Sequence, residues 1–296
     1  MSAIAHVTIV GCGMMGRQVA WASLMSGIRV TLFDSETARA AEAHAEILGW
    51  LSGTVDDASL VVATDIERAV AAADLVFENV PEEVEIKRAV HEEIDRLAPP
   101  RTIQGSNASS LPGSAFVGAV ARRDKFFLMN FNHPRRGERL VEFMPIPETS
   151  DETRAAAVAW ARQIGMVPLE LRREIMGFAQ NRIWRAVKKE CLHLVDQGYA
   201  TAADIDRGWM LSYGTDIGPF GRMDAIGLHS VLRVEQRYFE ATGDESDRPP
   251  SVLVALVEAG HLGVQSGRGF YSYPNPSFRD PDFLQGGPEP DPKAYP

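Results

Sequence analysis

Cysteine is scarce in this chain: two residues in 296, Cys12 and Cys191. Two thiols argue against a disulfide scaffold and supply no metal-ligand spacing, so no metal site is expected. Long apolar runs are also missing, and none reaches the length that crosses a bilayer. The chain enters a strand-like segment without a basic stretch and apolar core, so no export signal is read and the cytoplasm is the expected location. Positive charge is in deficit, with 30 Lys and Arg against 40 Asp and Glu and a net charge of −10. That balance argues against nucleic acid as a partner, because phosphate binding asks for a basic face. No internal repeat is seen. The remainder is ordinary for a globular protein, 45% hydrophobic and 24% charged, and long enough for one large or two medium domains.

The most informative segment is Val7-Thr8-Ile9-Val10-Gly11-Cys12-Gly13-Met14-Met15-Gly16. A β-branched stretch runs into G-x-G-x-x-G, and a helix-forming stretch, Arg17 to Met25, follows. This is the order of a dinucleotide-binding turn: Gly11 for the tight turn, Gly13 for approach of the pyrophosphate, Gly16 for helix–strand packing. The helix N-terminus, with Met14 and Met15 at its start, offers N–H groups and the positive dipole end to phosphates. A second strand, Arg29 to Phe33, ends in Asp34, about 20 residues on, where a carboxylate binds ribose hydroxyls and repels a 2′-phosphate. The expected cofactor is therefore NAD rather than NADP. Cys12, inside the turn, is read as filling space beside the cofactor.

Strand-like and helix-like segments alternate to about residue 175, which implies a mostly parallel, doubly wound α/β sheet of Rossmann type. A helix is expected near Leu111 to Val120. After Gly177 the pattern becomes helical, with a long helix over 178–197 and others at Ala202 to Leu211, Leu228 to Glu240 and Ser251 to Glu258. The expected organisation is an NAD-binding domain over 1–175, a smaller all-α domain over 176–273, and a proline-rich tail over 274–296 that wraps the domain or is disordered.

Several segments together resemble the 3-hydroxyacyl-CoA dehydrogenase family, which includes L-gulonate dehydrogenase and the lambda-crystallins. They are the glycine turn, Glu78-Asn79-Val80-Pro81-Glu82 with Lys87, Ser106-Asn107-Ala108-Ser109-Ser110-Leu111, Leu140-Val141-Glu142, Gly177-Phe178-Ala179-Gln180-Asn181-Arg182, Ile217-Gly218-Pro219-Phe220 and Gly267-Arg268-Gly269-Phe270-Tyr271. The resemblance implies NAD-dependent oxidation of a secondary alcohol beta to a carboxyl or thioester, in a homodimer paired through the helical domain. It implies Ser109 and Asn181 on the reacting oxygen, Glu142 orienting the base, and Glu82 and Lys87 near the cofactor's nicotinamide-side ribose. From the residues alone, Ser109 also suits a helix cap and Lys87 a pair with Glu83 one turn earlier.

The chain departs from the family at the proton-transfer position. The family's histidine stands twelve residues before the glutamate, where this chain has Asn130. An amide can hydrogen-bond to an alcohol but cannot take its proton. Three positions on, where the family has an asparagine, stands His133. Two readings stay open: His133 takes over as base, or the family's redox chemistry is altered and NAD serves elimination, retro-aldol cleavage or a structural or regulatory role. Positions three apart in a strand face opposite ways, so the first reading needs a turn at Asn132-His133-Pro134. Arg135, Arg136 and Arg139 follow at once and suit an anionic group on the substrate, a hydroxy acid or an acyl thioester. The stretch over 35–60 is short and acidic, which disfavours tightly held coenzyme A.

Overall fold

The computed structural model describes residues 4–287, with the side chain of Ala119 left aside. The chain divides into two compact units, one ending at Arg182 and the other beginning at Ile183. Among the described residues no helix is long and apolar enough to cross a membrane.

In the first unit the elements run β1 (His6–Val10), α1 (Met14–Met25), β2 (Arg29–Phe33), α2 (Thr37–Leu51), β3 (Leu60–Val62), α3 (Ile66–Val70), β4 (Leu75–Glu78), α4 (Val84–Leu97), β5 (Ile103–Asn107), β6 (Phe126–Phe131), β7 (Leu140–Pro145), α5 (Asp151–Gln163) and β8 (Val167–Glu170). They form one sheet in the order β3-β2-β1-β4-β5-β6-β7-β8. Every neighbouring pair is parallel except β6 and β7. Val, Ile, Leu and Phe fill the central strands, and β4 is buried at all four positions, as a sheet covered on both faces requires. Chain order reverses between β1 and β4, where the crevice at the strands' carboxyl ends forms the usual ligand site of such sheets. In place of a helix near Leu111–Val120 there are two single 3₁₀ turns, Gly113–Ala115 and Val117–Ala119. Pro112 and Gly118 break that stretch, and neither favours continued α-helix.

A further helix, α6 (Ala179–Asp196), begins in the first unit and runs on into the second, which continues with α7 (Ala202–Tyr213), α8 (Pro219–Ile226), α9 (Leu228–Thr242) and α10 (Ser251–Glu258). Thr201 caps α7 by accepting the Asp204 N–H. Two buried carboxylates organise this unit. Asp206 accepts the N–H groups of Phe220 and Gly221 and the Tyr271 hydroxyl. Asp224 accepts the N–H groups of Phe270 and Tyr271 and the Tyr273 hydroxyl. A Cβ on Gly218 would lie 2.4 Å from the Asp206 carboxyl carbon, and one on Gly269 2.1 Å from Asp224 Oδ1. Both motifs therefore need glycine so that backbone can close on a carboxylate. Residues 274–287 are not loose: Phe278 and Phe283 are buried in the helical core, and Arg207 Nε donates to the Phe283 carbonyl. The tail beyond 287 lies outside the described residues.

Candidate active site

The dinucleotide turn is built on close backbone approach. Gly11 has φ +93°, and a Cβ there would meet the Asn79 backbone at 2.7 Å. A Cβ on Gly16 would meet the Gly11 carbonyl at 2.1 Å. Gly13 instead faces open space and caps α1 with no side chain, leaving the first-turn N–H groups to a ligand. Asp34 Oδ2 accepts the Cys12 N–H and Oδ1 that of Glu36, which fixes the carboxylate at the rim while leaving lone pairs for hydroxyls. A cavity of about 930 Å³ opens there, lined by Gly11, Gly13 and Asp34 on one side and by Ile66, Val80 and Ile86 on another. An apolar slot between a carboxylate and a phosphate-binding turn fits the adenosine half of a dinucleotide. Cys12 is buried, and burial with the Asp34 charge beside it pushes its thiol up to about 12. It packs rather than reacts.

A second cavity, about 310 Å³, continues from the same turn. Gly13, Met14 and Met15 wall it with the strand-end residues Asn79, Asn107, Ser109 and Asn130, and Glu82 also reaches it. Asn107 Nδ2 donates to Asn79 Oδ1 at 2.9 Å. Sequence reasoning singles out neither of these two asparagines, although both lie in segments that carry the resemblance. Asn130 pairs in register with Glu142 across the β6–β7 ladder, and its Nδ2 donates to Glu142 Oε2 at 3.2 Å. Glu142, 2% exposed, also accepts the N–H groups of Ala179 and Gln180 on Oε1, so it caps α6. Asn181, one residue on, donates through Nδ2 to the Ser109 carbonyl at 2.9 Å.

Residues 6–175 match the family described as 3-hydroxyacyl-CoA dehydrogenase, NAD binding domain, and residues 177–273 match its C-terminal domain. The chain belongs to the 3-hydroxyacyl-CoA dehydrogenase family. By that membership it is an NAD-dependent oxidoreductase acting on a CH–OH group. It is 30% identical over 284 residues to a probable 3-hydroxybutyryl-CoA dehydrogenase of Bacillus subtilis, covering 91% of this chain and 98% of that one. It is 29% identical over 282 residues to a 5-formyl-3-hydroxy-2-methylpyridine 4-carboxylate 5-dehydrogenase of Mesorhizobium japonicum, with 91% of each covered. Among solved structures, the (S)-3-hydroxybutyryl-CoA dehydrogenase of Ralstonia eutropha superposes with a TM-score of 0.82 at 29% identity, covering 92% of this chain and all (100%) of that one.

The geometry gives three of the expected site groups neighbours that the sequence does not show. Lys87 is fully buried, with Nζ 3.0 Å from both Glu78 oxygens, 3.1 Å from the Asn107 carbonyl and 3.5 Å from an oxygen of Glu82, which lines the second cavity. His91 Nε2 lies 3.1 Å from the Glu78 carboxylate, and the Ser106 hydroxyl donates to it at 2.6 Å. Burial pushes the Glu78 carboxyl up, but the His91 hydrogen bond, the Lys87 charge and the Ser106 hydroxyl outweigh it and hold it below the ordinary value. Glu82 closes over this cluster, accepting the N–H groups of Ser109, Ser110 and Leu111.

His133 is not among the residues that wall the second cavity. It is half-buried against α1, its Nδ1 3.2 Å from Gln18 Nε2. It stands two residues beyond the end of β6, at the start of the 3₁₀ turn Pro134–Arg136. The three arginines also part company. Arg139 Nε donates to the Gly165 carbonyl, whereas Arg135 and Arg136 line a separate cavity beside α1 and α2.

Proposed function

We propose that the chain oxidises the secondary alcohol of a 3-hydroxy acid or 3-hydroxyacyl thioester, with NAD as hydride acceptor. One observation carries the reading: a single cavity runs from the dinucleotide turn at Gly13, Met14 and Met15 to the polar strand ends Asn107, Ser109 and Asn130. The likeness to the Bacillus subtilis and Ralstonia eutropha 3-hydroxybutyryl-CoA dehydrogenases supports the substrate class. When bound, NAD supplies the nicotinamide ring that takes up the hydride.

The chain's own residues bind and orient. The free N–H groups of α1 and the Asp34 carboxylate hold the cofactor's phosphates and ribose. Because Asn130 turns its Nδ2 to Glu142, its Oδ1 is left to accept the alcohol O–H and set the carbinol carbon toward the turn. The Ser109 hydroxyl is a second partner for the same oxygen. Asn130 cannot take the proton, so the proton leaves to water, and a factor of ~10²–10⁴ that a positioned base would supply is forgone. Two copies pair through the helical unit, a reading supported by the exposed apolar side chains Ile183, Leu211 and Tyr213.

NADH formation by the purified protein, measured with free 3-hydroxy acids and 3-hydroxyacyl thioesters from neutral to alkaline pH, tests this. Oxidation of at least one substrate, faster as pH rises, is expected. Tight NAD binding with no NADH from any substrate would reject it. Asn130 itself favours a second reading, in which NAD is retained for non-redox elimination or retro-aldol chemistry, or for a regulatory role. NAD kept through purification, with turnover but no net reduction, selects the former; binding with no turnover selects the latter.

A further inference from the structure

Arg135 and Arg136 stand in a cavity of about 340 Å³ whose wall includes Met14, the residue that also walls the Asn130 cavity. Arg17 and Gln18 of α1 and Glu46 and Trp50 of α2 complete it. The three guanidinium groups are not alike. Arg17 is spent on structure, pairing with Glu46 and donating from Nε to the Cys12 carbonyl. Arg135 and Arg136 have no acidic partner among the described residues, so this cavity carries uncompensated positive charge in a chain of net charge −10.

Arg135 is also held in place. Its guanidinium carbon lies 4.5 Å from the centre of the Trp50 ring, and its backbone N–H donates to Gln18 Oε1 at 3.4 Å. The Pro134–Arg136 turn is closed by the Arg136 N–H on the His133 carbonyl. A guanidinium stacked on an indole keeps its edge N–H groups outward, and those edges match carboxylate or phosphate in bidentate fashion.

We propose that this cavity is an anion subsite that holds a carboxylate or phosphate of the substrate, next to the cavity that holds its hydroxyl. The inference rests on the alcohol-oxidation reading for the word substrate, but the binding of an anion there does not depend on turnover. Calorimetric titration of the full-length protein with malonate and with inorganic phosphate is the first measurement. Binding of at least one, weakened about tenfold or more in the R135Q/R136Q double variant, is expected, since the variant loses both charges and their charge-assisted hydrogen bonds. NAD affinity in the double variant serves as the folding control and stays within about twofold. No binding by the wild type, or equal binding by the variant, would overturn the subsite even if alcohol oxidation proceeds. Failure of oxidation with anion binding intact would reject only the catalytic reading.

The source of the anion is separated by kcat/KM for a free hydroxy diacid, a coenzyme A thioester and the matching pantetheine thioester. Loss in the double variant confined to the diacid assigns a carboxylate. Loss for the coenzyme A thioester but not its pantetheine counterpart assigns a nucleotide phosphate. No loss with any of the three would overturn the proposal.

Discussion

Asn130 and Glu142 face one another across the antiparallel β6–β7 ladder, with the amide donating to the carboxylate at 3.2 Å. The carboxylate is thus already placed to orient a donor at position 130, and it is anchored by the α6 N–H groups. What the pair lacks is a group at 130 that titrates.

Asn130→His supplies it. An imidazole there meets the same carboxylate, which would accept one ring N–H and leave the other nitrogen for the alcohol. Turnover of whichever alcohol is oxidised should rise by at least about tenfold, within the ~10²–10⁴ that a positioned base contributes. The pH–rate profile should gain an inflection near the histidine value of about 6.5. Steady-state kinetics of wild type and variant over pH decide the matter; no gain in kcat and no new inflection would show that proton transfer is not what limits this site.

Asp34→Ala should weaken NAD binding by about tenfold or more while leaving NADP binding less affected. The carboxylate also accepts the Cys12 N–H at the rim, so the variant loses one turn contact as well. Fluorescence titration with both nucleotides reads the ratio. An unchanged preference would move cofactor selection elsewhere.

The glycine turn and Asp34 are legible because their constraint is local: spacing along one strand–turn–helix sets the chemistry. The Lys87 partner is not. A surface helix rule points to Glu83 one turn away, but packing of α4 on β4 delivers Glu78, nine positions back, and buries the ammonium completely. Arg135 and Arg136 read as a substrate cluster with Arg139, yet only tertiary packing separates a pair near Trp50 from one bound to a backbone carbonyl. Asp206 and Asp224 carry no local signal of their own, although the glycines at 218 and 269, each facing a carboxylate, are the visible trace of them.

Lys87→Met removes the ammonium from the buried Glu78 cluster. The carboxylate then keeps His91, Ser106 and the Val80 N–H but loses its charge partner, and breaking a buried pair in this way costs about 3–5 kcal/mol. Urea denaturation should show that loss in the first unit. The same cluster makes this unit acid-sensitive: the folded Glu78 value lies below the unfolded one, so its stabilisation is present above the ordinary glutamate range and is lost as pH falls below it. A variant as stable as wild type would mean the cluster is not held together by charge.

The helical unit should respond to pH in the opposite sense. Burial lifts Asp206 and Asp224 each to about 6, against the pull of the two N–H groups and one tyrosine hydroxyl that each accepts. An acid whose folded value is raised binds its proton more tightly when folded. Its contribution is therefore fully present below the unfolded value of about 3.9 and declines as pH rises through about 6. Thermal unfolding followed by helical circular dichroism should show Tm falling between mildly acidic and neutral pH. Asp224→Asn keeps one acceptor for the Phe270 and Tyr271 N–H groups but cannot titrate, so its Tm should lie lower in acid and vary less over that window. A wild-type Tm that rises across the same window would mean that the hydrogen bonds to these carboxylates, not their burial, set their protonation.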